Sequence, residues 1–253
     1  ICLVKKLVSI TALLGTAALA PLSMAEDLSV SVSIDYVSEY VFRGVSLARG
    51  AVQPSIEVSK NGFTAGVWPS AAIGEASAVA GDEIDVYAGY SWSLSEALSA
   101  DIGATVYHYP DIDGSLFDFG GASTFEVYGG LSFDVPLAPT LYTYYDFDLD
   151  ALTVEGGVSH SVPFAEKTSL DLGLTAGLVT VDGGGDYEYG SASLNVSYGL
   201  SDSVSTYVGA NYALSSVDSL NFRNFTNLTT GANFSATTDD NKFWLGIGIA
   251  AGF

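Results

Sequence analysis

Cysteine and positive charge are both scarce in this sequence. Its single cysteine is Cys2, so the 253-residue chain cannot form a framework of disulfide bonds. Only 8 lysine and arginine residues stand against 29 aspartate and glutamate residues, which gives a formal net charge of −21. Because the phosphates of a nucleic acid would repel such a surface, we predict that no nucleic acid is a partner.

Long apolar runs are also missing after the first 25 residues, although 48% of all residues are hydrophobic. Glycine, with 28 residues, and tyrosine, with 15, are frequent instead. This mixture favours exposed, twisted strands over helices, so the composition indicates an all-β protein.

The first residues form a separate segment. Lys5 and Lys6 precede the apolar stretch LVSITALLGTAALA, which is too short for a typical transmembrane helix. Small residues then lie where a signal peptidase would cleave, after Ala25. We predict a signal peptide at residues 1–25 and a mature domain at residues 26–253, and a buried N-terminal helix is the alternative.

Beyond residue 25, apolar and polar residues alternate. In residues 28–43 the even positions are mainly apolar and the odd positions mainly polar, which is the pattern of a strand with two different faces. A strand that crosses a membrane obliquely needs about 9–11 residues. The pattern predicts twelve strands, near residues 28–43, 52–60, 63–69, 83–94, 98–109, 123–133, 140–148, 152–162, 169–180, 188–198, 203–214 and 242–253.

The connections between these strands alternate between short turns and longer loops. Asn61-Gly62 is a residue pair that strongly favours a two-residue hairpin turn, and the longest loop spans residues 215–241. Short turns on one side and long loops on the other are typical of a barrel in the bacterial outer membrane. We therefore predict an antiparallel up-and-down transmembrane β-barrel with both termini on the periplasmic side.

The apolar faces of the strands are assigned outward, towards lipid. Aromatic residues on these faces lie at the strand ends, as in the interfacial girdles of a membrane barrel. Those beside short turns are Phe63, Tyr90, Trp92, Phe133 and Tyr198, and those beside long loops are Tyr40, Phe42, Tyr145, Phe147 and Phe243. A soluble β-sandwich, whose apolar faces would point inward, is the alternative.

The opposite faces then line the interior of the barrel, and they are acidic. Rings of carboxylates favour cations, so we predict a porin-like channel for passive diffusion of small hydrophilic solutes, with a preference for cations. Arg43 either bridges carboxylates structurally or selects solutes at a constriction. Because inward tyrosines narrow the bore, the alternative is a non-conducting structural or surface-interaction barrel closed by a charge network. The predicted pore-lining residues are Asp35, Glu39, Arg43, Glu57, Asp85, Asp101, Glu126, Asp146, Glu155 and Asp171.

Catalysis and metal binding have little support in the pattern. The two histidines, His108 and His160, both fall on the lipid face, and neither has a clear serine or acid partner. We predict no catalytic residue, no cofactor and no metal site. The loop residues Asp111, Asp113 and Asp118 do not fit the calcium-loop spacing, and divalent bridging to lipopolysaccharide is the alternative for them.

The last predicted strand ends on Phe253. A terminal aromatic residue resembles the assembly signal of outer-membrane proteins. We expect as partners the barrel-assembly machinery, outer-membrane lipid and lipopolysaccharide, and small hydrophilic solutes.

Residues 35–68 resemble a known family. The element Tyr40-Val41-Phe42-Arg43-Gly44-Val45-Ser46 is followed by Gln53-Pro54, by Gly62-Phe63 and by a strand that ends in Trp68. This run is similar to the TorF porin family, formerly described as a conserved bacterial outer-membrane protein of unknown function. The resemblance implies a barrel in the outer membrane of a Gram-negative bacterium and a porin-like role. The chain departs from the family in its short connection at 149–151 and its long final loop at 215–241.

Overall fold

The computed structural model describes residues 28–76, 81–226 and 233–253. The predicted signal peptide at residues 1–25 lies outside these ranges, so it stays a prediction. Within the described ranges, no helix is long and apolar enough to cross a bilayer.

Twelve antiparallel strands close into a barrel, which confirms the predicted fold class. The barrel closes where the first strand, β1 (Ser29–Val37), pairs with both β4 (Ala51–Lys60) and the last strand, β16 (Asn241–Gly252). In barrel order the strands are β1 (Ser29–Val37), β4 (Ala51–Lys60), β5 (Phe63–Ala72), β6 (Glu83–Ser95), β7 (Leu98–His108), β8 (Ser123–Phe133), β9 (Thr140–Asp146), β10 (Ala151–Ala165), β11 (Thr168–Val181), β12 (Tyr187–Gly199), β13 (Val204–Ser215) and β16 (Asn241–Gly252).

Two further hairpins do not belong to the barrel wall. In the first, β2 (Tyr40–Phe42) pairs with β3 (Val45–Ala48), and in the second, β14 (Asn221–Thr226) pairs with β15 (Asn233–Thr238). The prediction of one strand over residues 28–43 is therefore wrong. The wall strand β1 ends at Val37, and a bend at residues 38–39 sends the chain into a separate hairpin.

This bend also corrects the predicted aromatic girdle. Tyr40 and Phe42 were expected on the outer face, but Tyr40 is only 2% exposed and both side chains pack inside the barrel. Other girdle residues do lie outside: Phe63 at the short-turn end is 64% exposed and Phe243 near the long loops is 61% exposed. The alternation of apolar and polar residues does not distinguish a wall strand from a hairpin strand, because both have two faces.

The two faces of the wall lie as the sequence predicts. Leu174 and Ile34 point outward and are 58% and 50% exposed, whereas Asp101 and Glu126 point inward and are 1% and 3% exposed. A soluble β-sandwich would bury the apolar faces and expose the polar ones. The opposite arrangement, in a closed barrel, is what a membrane-spanning sheet requires, because lipid cannot satisfy polar groups.

The barrel has a turn end and a loop end. At the turn end, Lys60 pairs with Phe63 across the two-residue turn Asn61-Gly62, whose φ angles of 50° and 87° are those of a type I′ hairpin turn. Phe253 exchanges two backbone hydrogen bonds with Val30 there, at 3.0 and 2.8 Å. The hairpin formed by β2 and β3 starts from the opposite, loop end.

Candidate pore constriction

The hairpin of residues 40–48, which we call the inner hairpin, folds into the barrel at its loop end. Its side chains contact inward residues of several wall strands. The ring of Tyr40 packs on Trp68 of β5 at 5.6 Å between centroids, and its hydroxyl donates to Glu83 of β6 at 2.8 Å. Val41 packs in one apolar cluster with Ala213 of β13 and Trp244 of β16. Because these strands lie on different sides of the barrel, the inner hairpin crosses the interior.

The tip of the inner hairpin is Arg43-Gly44. Their φ angles of 44° and 76° are both in the left-handed region, as a type I′ turn requires. Gly44 also lies against the wall, where an added Cβ would come within 2.5 Å of the Cβ of Tyr189. Only glycine meets both conditions without strain, so the tip is fitted to the inner surface of β12.

Apolar packing holds the inner hairpin to the wall. Tyr40 and Ala48 form one buried cluster with Val37, Ala51 and Trp68. Burial of apolar area stabilises by about 25 cal/mol per Å². In the described residues, the buried apolar clusters thus lie inside the barrel around the inner hairpin, where an open pore would contain water.

Arg43 at the tip is bound by the wall. Its Nη1 and Nη2 atoms donate to the two carboxylate oxygens of Glu126, on β8, at 2.5 and 3.0 Å. Its guanidinium carbon lies 4.1 Å from the ring centroid of Tyr144, on β9, and 4.7 Å from that of Phe42. The hydroxyl of Tyr107, on β7, donates to the same Glu126 at 2.9 Å. A bidentate ion pair under an aromatic ring is a strong, directional contact.

Polar contacts fix the base of the inner hairpin. Ser46 donates its hydroxyl to Glu39 at 2.5 Å, and Lys242 on β16 reaches the same carboxylate at 3.0 Å. The loop after β13 also binds the hairpin, since Ser219 accepts from the Ser46 amide at 2.9 Å and donates to the Gly44 carbonyl at 2.6 Å. The tip and the base of the hairpin are therefore both anchored.

Tyr109, just after β7, adds a second donor to Glu83. Burial, followed by the nearby carboxylates of Glu83 and Asp85, raises the pKa of Tyr109 far above its usual value. The phenol therefore stays protonated and can donate to Glu83. Glu83 is the first residue of β6, so this contact lies at the loop end, where Tyr40 also binds Glu83.

The inner face of the wall carries a repeated arrangement that we call the acid–glycine–tyrosine row. Three residues on three adjacent strands are paired in register, with glycine in the middle. The tyrosine lies across the glycine, and its hydroxyl binds the acid on the far strand. The rows are Glu57, Gly66 and Tyr87; Asp101, Gly130 and Tyr142; Glu155, Gly177 and Tyr189; and Asp35, Gly248 and Tyr207.

The middle glycine is required by the close approach of the ring. A Cβ added at Gly66 would lie 2.4 Å from the Tyr87 ring, and one added at Gly177 would lie 2.4 Å from the Tyr189 ring. The hydroxyl of Tyr87 reaches Glu57 at 3.0 Å. The tyrosine thus covers the bare glycine backbone and supplies a hydroxyl donor to the carboxylate.

Tyr128 is an incomplete case of the same arrangement. It lies over Gly103, which is paired with it, but the third position is Gly89 instead of an acid. Among the described residues its buried hydroxyl has no hydrogen-bond partner. The row pattern therefore explains why Tyr128 lies over Gly103.

The other predicted pore-lining residues differ in their surroundings. Asp85 points inward, and its Oδ1 atom has no partner among the described residues. Asp146 accepts the amides of residues 148 and 149 at 2.9 Å each, so it caps the tight turn 147–150. Asp171, near the turn end, accepts from Ser161, Ser169 and Ser197. Glu39 and Arg43 belong to the bend and the inner hairpin, not to a wall strand as predicted.

The histidines and loop aspartates do not form a site. The Nδ1 atom of His108 lies 2.9 Å from the Ser123 hydroxyl and 3.1 Å from the Ala122 carbonyl, at the edge of the barrel. His160 is on the exposed outer face of β10. Within the described ranges, no group of three or more His, Cys, Asp or Glu side chains is arranged to hold a metal ion.

The acid–glycine–tyrosine rows make a testable prediction about stability. We expect Gly177→Ala to destabilise the folded barrel by about 1–3 kcal/mol, because the new methyl group overlaps the Tyr189 ring. Gly190→Ala is the matched control, since its Cβ would meet no atom closer than 3.6 Å. Urea unfolding of both refolded variants in detergent would measure the difference. Equal midpoints would show that the ring does not need the glycine.

Comparison with known proteins gives a family match and a fold match. Residues 23–138 match the family model described as "Bacterial protein of unknown function (Gcw_chp)". This range includes the inner hairpin and the strands from β1 to β8. It contains the residues on which the TorF resemblance rests, while the TorF name itself stays a prediction. No curated protein matches the sequence.

Solved structures with a similar fold are outer-membrane porins and channels. The KdgM porin superposes with a TM-score of 0.54 at 11% identity, over 88% of this chain and 99% of that chain. The NanC porin gives 0.51 at 14% identity, over 88% and 98%. An outer-membrane channel from Pseudomonas putida F1 gives 0.53 at 12% identity, over 94% and 99%. At these identities the likeness shows the fold alone, which is the porin-like barrel.

Proposed function

We propose that the protein is an outer-membrane channel for passive diffusion of small hydrophilic solutes and that it prefers cations. The closed barrel and its apolar outer surface support a place in the outer membrane. The fold is shared with porins and channels, and the polar inward faces support a path for water. The same similarity favours a channel over an enzyme.

The charge of the interior is the observation that carries the cation preference. In the part of the chain that the structure describes, the basic side chains that reach the interior are Arg43 and Lys242, and each is paired with a carboxylate. Seven further inward carboxylates lie among hydroxyls, apart from the unpartnered oxygens of Asp85 and Asp101, so they add negative charge to the interior. They are Asp35, Glu57, Glu83, Asp85, Asp101, Glu155 and Asp171.

A second candidate function is a closed barrel that serves as a structural or surface-interaction protein. The inner hairpin favours it, because its apolar packing on Trp68 and Trp244 fills part of the loop end. The two candidates differ in one measurable property, which is conductance.

Planar-bilayer recording of the refolded barrel tests both functions. In a gradient of potassium chloride, we expect discrete conductance steps and a reversal potential with the sign of cation preference. Heat-denatured protein from the same preparation is the control. A reversal potential of the opposite sign would contradict the cation preference. Absence of conductance from folded barrel would support the closed alternative.

A further inference from the structure

We propose that the wall around Arg43 is a binding site for guanidinium compounds. The Arg43 side chain of the inner hairpin fills this site in the structure. This wall site, which we call the cation cage, consists of Glu126, Tyr107 and Tyr144. A free solute with a guanidinium group would take the place of Arg43. The inference deepens the proposed function, because it names the class of solute that the interior recognises.

The geometry of the cage is that of guanidinium recognition. The two oxygens of Glu126 match the fork of two N–H groups, at 2.5 and 3.0 Å. The guanidinium carbon lies over the Tyr144 ring, 4.1 Å from the ring centroid. A lysine-like ammonium would use only one of the two oxygens at a time, since it is a point charge.

The three residues of the cage all belong to the wall. They come from the adjacent strands β7, β8 and β9. Tyr107 holds the carboxylate of Glu126 at 2.9 Å, and Tyr144 packs on Tyr128 and Tyr142 with centroids 6.0 and 5.9 Å apart. Because wall residues hold these side chains in place, the site is preorganised for a ligand.

Additional negative charge near the cage favours a ligand with two positive groups. Asp85 on β6 is paired in register with Tyr107 of the cage, and its Oδ1 atom has no partner among the described residues. Glu155 on β10 binds Tyr189, the residue against which Gly44 of the hairpin tip lies. Agmatine carries a guanidinium and an amine, whereas arginine adds a carboxylate that the acidic wall would repel. We therefore expect agmatine to bind more tightly than arginine.

A free ligand must compete with Arg43, because the hairpin holds this side chain in the cage. A side chain held next to its own site acts at an effective concentration of about millimolar or more. The intact protein should therefore bind free agmatine weakly, and removal of the Arg43 side chain should expose the cage. Arg43→Asn is suited to this purpose, because Asn-Gly is the most favourable pair for a type I′ turn and the hairpin can keep its fold.

Isothermal titration of agmatine into the refolded barrel in detergent tests the inference. We expect Arg43→Asn to bind agmatine at least about tenfold more tightly than the unchanged protein, and the added change Glu126→Gln to remove that gain. Arg49→Asn is the charge-matched control, because Arg49 pairs with Glu75 on the rim at 2.6 Å. Arginine is the ligand control, and Arg43→Gln is a second variant should Arg43→Asn fold poorly.

Two outcomes would overturn the inference. Equal affinities of the Arg43 and Arg49 variants would mean that agmatine follows the overall negative charge. Retained affinity after Glu126→Gln would place agmatine elsewhere. Since titration needs no current, a barrel that fails to conduct but binds agmatine would contradict the proposed channel and leave the cation cage intact.

Discussion

Removal of the inner hairpin is expected to raise the single-channel conductance several-fold. The hairpin turn between β4 and β5 is the template for this change. Val37 and Ala51 are cross-strand partners, just as Lys60 and Phe63 are on either side of that turn. Residues 38–50 can therefore be replaced by Asn-Gly, the turn that already joins Lys60 to Phe63. The wall strands β1 and β4 keep their register, and only the segment that fills the loop end is lost.

The expected increase follows from what the hairpin occupies. It covers Trp68 and Trp244, and its tip reaches Glu126, so its loss opens a wider path along inward polar residues. The deleted segment contains Glu39, Arg43 and Arg49, so its loss removes one net positive charge, and the reversal potential should move further towards cation preference. Shortening the 182–186 loop is the control, since Gly183 and Gly185 have no neighbouring atoms within 4 Å of an added Cβ. Unchanged conductance after hairpin removal would mean that the barrel is blocked elsewhere.

The wall strands could be predicted from sequence because a single property decides them. Each wall residue faces either lipid or the interior, so the two-residue period runs through every strand. For β8 the predicted bounds of 123–133 agree with the observed Ser123–Phe133. The same period assigned Asp101 and Glu126 to the interior, where the structure places them.

The inner hairpin could not be found in the same way. Tyr40 and Phe42 continue the alternation of β1, so the period gives no sign that the wall strand has ended at Val37. The sequence does contain two glycines that mark turns, Gly44 and Gly50, and both have positive φ angles in the structure. Arg43 before Gly44 hides this signal, because turns of this type usually carry Asn or Asp there.

The acid–glycine–tyrosine rows depend on strand register, which the sequence does not state. Glu155, Gly177 and Tyr189 are far apart along the chain and meet only because β10, β11 and β12 pair in one register. Face assignment predicts that all three point inward. It does not predict that the tyrosine lies over the glycine and binds the acid.

Loss of the Glu126 charge is expected to release the inner hairpin. In Glu126→Gln the guanidinium of Arg43, which is 13% exposed, keeps its charge but loses its anionic partner. Removing one partner of a buried ion pair typically costs about 3–5 kcal/mol. Hydrogen exchange of the amides in residues 40–48, followed by mass spectrometry, should show a marked loss of protection. Glu57→Gln is the matched control, because Glu57 is an inward carboxylate that binds Tyr87 and not the hairpin.

The double variant Arg43→Asn/Glu126→Gln separates the ion pair from the rest of the hairpin contacts. If the unpaired charge causes the release, removing both charges should restore much of the protection, because Asn and Gln are neutral and the apolar anchors Tyr40 and Val41 remain. If the double variant is as unprotected as Glu126→Gln, the ion pair holds the hairpin by its own attraction. If the amides of residues 40–48 exchange no faster in Glu126→Gln than in Glu57→Gln, apolar packing alone keeps the hairpin in the barrel. The ion pair of Arg43 would then not be needed to hold it.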